Sequence, residues 1–117
     1  MSIQNKKTVF ILPSYGLGQT EDGELKLKLA KKFLALLADA KPLPGQICFY
    51  TDGVKLCVTG SPVLDELRTL ANRGVELVIC QTCLESFSLR DQVEVGIVGG
   101  MGDIIAAMTA ADIAVTV

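Results

Sequence analysis

Apolar residues along the chain fall into short unbroken runs, and between them lie stretches in which apolar positions recur at helical spacing. This is the pattern of strands buried on both faces alternating with amphipathic helices. The first run, Thr8 to Leu12, closes at Pro13. After a loop holding Gly16, Gly18 and Gly23, the segment Glu24 to Ala40 places Leu25, Leu29, Phe33, Leu36 and Leu37 on one side of a helix, opposite Lys28, Lys31 and Lys32. Pro42, Pro44 and Gly45 end it, and Gln46 to Tyr50 forms a second strand followed by the turn Thr51-Asp52-Gly53 and a short helical or irregular piece over Val54 to Val58. Ser61-Pro62 predicts a helix start, with serine as cap and proline in the first position. Its buried stripe is Val63, Leu64, Leu67, Leu70 and Ala71, and Gly74 stops it. Val75 to Cys80 is the third strand, Thr82-Cys83-Leu84-Glu85 opens a short helix, and Val93 to Val98 is the fourth strand. A helix over Asp103 to Ala111 and a strand over Ile113 to Val117 complete the chain.

Five strands separated by helical segments predict one α/β domain over residues 1–117. Its expected form is a flavodoxin-like three-layer α/β/α sandwich, with a five-stranded, mainly parallel sheet joined by right-handed crossovers. Pattern leaves the strand order open. In such folds chemistry sits beyond the carboxyl ends of the strands, where Ser14 to Gly18, Thr51 to Lys55, Gln81 to Cys83 and Gly99 to Gly102 should converge.

Composition narrows what that site can do. A chain of 117 residues can bury a core without disulfides or a structural metal, so its four cysteines need another explanation. Eleven Lys plus Arg against thirteen Asp plus Glu leaves no basic excess for phosphate contacts, and no nucleic-acid partner is expected. The absence of histidine removes Cys-His and Ser-His-Asp hydrolases and His-ligated zinc. The stretch Met1 to Lys7 lacks the features of a signal peptide, and the apolar stretch Val93 to Val117 is interrupted by Glu94, Asp103, Asp112 and four glycines. A cytoplasmic protein without a membrane partner is therefore expected, in a compartment that keeps thiols reduced.

Cys83 is the candidate nucleophile. Thr82 and Glu85 match a T-x-x-E capping box, which predicts Thr82 as helix cap, Cys83 as first helical residue and a thiol pKa lowered by free amide groups, with Glu85 opposing the shift. Cys80 makes the pair a C-x-x-C; as the last residue of a strand it reads as a buried core thiol or as an accessory one. Cys48 reads as core and Cys57 as ambiguous, and the spacing of the four argues against a zinc site. Lys55 is the cation expected near the strand ends, where it would stabilise a thiolate or persulfide at Cys83. Gly16-Leu17-Gly18 lacks the third glycine of a dinucleotide fingerprint, Glu21 standing in its place. Gly96, Gly99, Gly100 and Gly102 precede a helix but have Asp103 where an anion would sit, so no cofactor is expected.

Three blocks carry a family resemblance: Phe49-Tyr50-Thr51-Asp52-Gly53-Val54-Lys55-Leu56, Gly60-Ser61-Pro62-Val63-Leu64, and Gly74-Val75-Glu76-Leu77-Val78-Ile79-Cys80-Gln81-Thr82-Cys83-Leu84. With them the chain resembles the DsrE-like sulfur-relay superfamily, and most of all the C-terminal domain of the YedF proteins linked to selenium metabolism. The resemblance implies a single DsrE-like domain, homo-oligomers that are trimers or hexamers, and a cysteine after the third strand, here Cys83, that carries sulfane sulfur as a persulfide. YedF proteins also carry a TusA-like domain that this sequence lacks, so donor and acceptor are expected to be separate proteins, a TusA-like one among the candidates. Three functions are thereby set out: a sulfur or selenium carrier of sulfurtransferase type; a non-catalytic oligomeric module binding a small ligand or peptide; and a dithiol redox protein using Cys80 and Cys83.

Overall fold

The computed structural model describes residues 7–117, so most of the segment read above for a leader lies outside the described residues. Strands β1 (Thr8–Leu12), β2 (Gln46–Phe49), β3 (Glu76–Cys80), β4 (Ile97–Gly99) and β5 (Ile113–Thr116) form one sheet in the order β4-β3-β2-β1-β5. All four pairings are parallel. Helices α1 (Gly23–Leu37), α2 (Leu64–Asn72), α3 (Gln81–Ser86) and α4 (Met101–Ala110) connect the strands. From β1 to β4 the chain steps one way across the sheet, so right-handed crossovers put α1, α2 and α3 on one face; the return from β4 to β5 puts α4 on the other. The expected three-layer α/β sandwich is thus present.

The register Phe10↔Ile47↔Leu77 defines the face toward α1, where Phe10 meets Phe33 edge-on at 5.4 Å. Asp22 caps α1, its carboxylate accepting the Leu25 N–H at 3.1 Å. The buried side of α1 is Ala30, Leu34 and Leu37. This corrects the stripe expected from spacing: Leu25 and Leu29 are each 43% exposed and Leu36 67%. The helix carries two apolar stripes, and a single chain covers only one of them.

Several boundaries also differ from expectation: α1 ends at Leu37 rather than Ala40, and α4 begins at Met101 rather than Asp103, with Gly100 as its N-cap. The second helix starts at Leu64, because Ser61 accepts the Val63 N–H in a turn of its own (3.3 Å) before the helix begins. The fourth strand starts at Ile97. Val93 instead bridges Val58 antiparallel, and Gly96, at φ +88°, turns the chain into β4 where a side chain would press on Leu77 and Ile79.

After β2, Thr51–Cys57 winds into a 3-10 segment that lies across the end of β1. Gly53 there is buried, and a methyl group on its Cα would overlap the Leu12 carbonyl. Gly53→Ala is expected to destabilise the protein by more than about 3 kcal/mol, since the obstacle is backbone that cannot yield. Urea unfolding measures this, and a loss below about 1 kcal/mol would show that the segment can lift without consequence.

Candidate functional site

The site is built by the ends of three adjacent strands. Leu12 ends β1 and hands over to Pro13, Phe49 ends β2 and leads into Tyr50 and Thr51, and Cys80 ends β3 and leads directly into α3. Cys80 is the N-cap of α3 and Cys83 its third residue, so the capping box expected from Thr82 and Glu85 is absent and Thr82 is an exposed residue inside the first turn. Glu85 instead meets Gln81 at 3.3 Å and Arg90 at 3.2 Å. The chain passes from strand to helix at Cys80 without a loop, which leaves no extended residue for Thr82 to occupy as a cap.

Of the four free cysteines, Cys48, Cys57 and Cys80 are buried and Cys83 alone is partly open to solvent. The Thr51 backbone N–H donates to Cys83 Sγ at 3.0 Å. Thr51 holds that N–H in place from an unusual conformation, φ +48°, which a β-branched residue adopts at a cost of about 1–3 kcal/mol. Its hydroxyl lies 2.5 Å from the Pro13 carbonyl oxygen and 2.7 Å from that of Tyr50, tying the strained residue to the end of β1. Thr51, which the sequence placed beyond a parallel strand without a role of its own, is the residue whose backbone meets the Cys83 sulfur.

The electrostatics of Cys83 also differ from expectation. Burial pushes its thiol up, a hydrogen bond with the Cys80 thiol adds to this, and the Thr51 N–H works in the opposite direction by favouring the anion. The thiol is therefore raised where a lowered one was predicted: the helix is short, and the sulfur is paired with another thiol rather than with a cation. Lys55, expected beside Cys83, is bound to Asp52 at 2.7 Å and lies over the Phe87 ring at 4.3 Å. It pins the 3-10 segment to the end of α3. Cys80 is brought to Cys83, then, while Thr82 and Lys55 are not placed against its sulfur.

At both glycine clusters, backbone amides and helix starts are engaged by the chain itself. Leu17 N–H bonds to the Lys26 carbonyl at 3.0 Å and Asp22 fills the start of α1. The Asp103 carboxylate takes the Gly100 N–H at 2.8 Å at the start of α4. Among the described residues no helix is long and apolar enough to cross a membrane.

A parallel α/β sheet with one accessible thiol at its carboxyl edge defines the class. A family model of the DsrE/DsrF-like family matches residues 7–117, and the chain belongs to that family. No curated protein matches the sequence. Among solved structures, the protein of unknown function MTH1491 from Methanobacterium thermoautotrophicum is similar at TM-score 0.69 and 20% identity, covering 97% of this chain and 100% of that one. The YchN protein from E. coli is similar at 0.66 and 15%, covering 95% and 99%. At these identities the likeness is one of fold.

The raised thiols set an alkaline limit. Cys48, inside the core, is pushed up to about 11 by burial and by the Glu76 charge. Its folded state holds the proton longer than the unfolded chain does, so its contribution to stability is complete below the ordinary cysteine value and is lost as pH rises through about 11. Unfolding midpoints should fall across that window in the wild type and fall less in Cys48→Val; equal slopes would rule the linkage out.

Proposed function

We propose that the protein is a sulfur carrier that holds sulfane sulfur, or selenium in the same way, as a persulfide on Cys83. The observation that carries the reading is a single solvent-reached thiol whose sulfur receives a fixed backbone N–H from Thr51; membership of the DsrE/DsrF-like family supports it. In loading, the Cys83 sulfur, as thiolate, attacks the outer sulfur of a donor persulfide. The new S–S bond forms on Cys83 as the donor's S–S bond breaks, and the donor leaves as thiolate. Delivery to an acceptor thiol is the same exchange in reverse, with no net oxidation. The Thr51 N–H stabilises charge on the Cys83 sulfur whenever that sulfur is attacking or leaving. Donor and acceptor are separate proteins, a TusA-like protein among the candidates, and the carrier acts in the cytoplasm.

Incubation with sodium tetrasulfide followed by intact-mass measurement is expected to add one sulfur atom to the wild type and none to Cys83→Ser. Because the thiol is raised, loading should accelerate as pH climbs toward and beyond the ordinary cysteine value of about 8.5. An adduct that persists in Cys83→Ser, or no adduct at any pH, would refute the carrier and favour the alternative of a binding module.

The same reading includes self-association as a trimer or hexamer. Leu25, Leu29 and Leu36 on α1 and Ile113 on the edge strand β5 are large apolar side chains left 43–67% exposed, a surface that further copies of the chain would cover. Sedimentation of the wild type should give an oligomer that Leu36→Lys weakens; a wild-type monomer throughout the micromolar range would refute it.

A further inference from the structure

Cys80 is the buried thiol that shares a helical turn with the accessible one. It sits at the N-cap of α3 and Cys83 at the third helical position, and side chains in those two places face each other across the first turn. The Cys80 thiol lies near enough to Cys83 to help hold the proton on its sulfur. Cys80 is only 2% exposed, so external reagents meet Cys83 first. Cys48 and Cys57 are buried elsewhere in the core and take no part.

We propose, resting on the carrier reading above, that Cys80 is a resolving thiol that discharges Cys83 persulfide as free hydrosulfide, giving the protein a second, sulfide-releasing activity. The Cys80 sulfur attacks Cys83 Sγ, the inner sulfur of the persulfide. The Cys80–Cys83 disulfide forms as the bond from Cys83 Sγ to the outer sulfur breaks. The electron pair leaves with the outer sulfur, which departs as HS⁻ and takes up the proton that Cys80 gives up. The outer sulfur is reduced to sulfide while the two cysteine sulfurs are oxidised to a disulfide, so a single discharge needs no external electrons; repeated discharge needs a dithiol reductant to reopen the bridge. The partly exposed side of Cys83 gives the hydrosulfide a way out. Two fates then compete for the same persulfide: an acceptor protein that docks promptly receives the sulfane sulfur, and a persulfide left waiting is released as sulfide.

The test loads the full chain with sodium tetrasulfide, removes the excess by gel filtration without added thiol, and follows sulfide release together with intact mass. Wild type should release about one sulfide per loaded chain while its mass passes from one added sulfur atom to the loss of two hydrogen atoms. Cys80→Ser and Cys80→Ala, each verified as folded by thermal melting, should still take up one sulfur atom, keep it and release sulfide at least about tenfold more slowly. Dithiothreitol should restore repeated release in the wild type under continued tetrasulfide. A loaded wild type that keeps its sulfur, or Cys80 variants that release it as fast as the wild type, would overturn the resolving role and leave the carrier standing. Failure of the wild type to load would overturn both.

Discussion

The close passage of the Thr51–Cys57 segment over the end of β1 is the constraint on which the site depends. The segment can lie there only because Gly53 has no side chain to strike the Leu12 carbonyl. Once it lies there, Thr51 falls within reach of the Pro13 carbonyl, its hydroxyl fixes the left-handed conformation, and its N–H points at Cys83. Lys55, held by Asp52 and stacked on Phe87, fastens the far side of the segment to α3. A sterically bare residue, a strained residue and a cation thus cooperate in aiming one amide at one sulfur.

This arrangement has a definite electrostatic character. Reactive thiols in many proteins are made anionic by a neighbouring cation or imidazole. Here the chain has no histidine and Lys55 is spent on Asp52. The sulfur is left with opposing influences, burial and its partner thiol holding the proton on and a backbone amide easing it off. Such a thiol is sheltered from casual oxidants, since the thiolate is the form they attack.

Most of the fold was legible. Each parallel strand is a short apolar run, and the prolines, glycines and helical spacings between them fixed the class and nearly every element. What pattern could not decide was which of two apolar stripes on α1 faces inward, because Leu25, Leu29 and Leu36 recur at the same period as Ala30, Leu34 and Leu37. Val93 to Val95 read as strand because a bridge to Val58 and an apolar setting look the same in one dimension. At the site, the residue expected just beyond β3, Cys83, is the one thiol partly open to solvent. The capping box failed because one helix turn began two residues early. The role of Thr51 was invisible because it arises from a backbone group, which every residue but proline possesses.

The four thiols are graded in access, one partly open and three buried. The native chain is therefore its own labelling reagent: a brief exposure to a maleimide dye or spin label at mildly alkaline pH would mark a single position without removing any cysteine. That position stands at the carboxyl edge of the sheet, beside the loop ends of three strands. A probe placed there would sense any molecule that approaches this rim, whichever chemistry brings it.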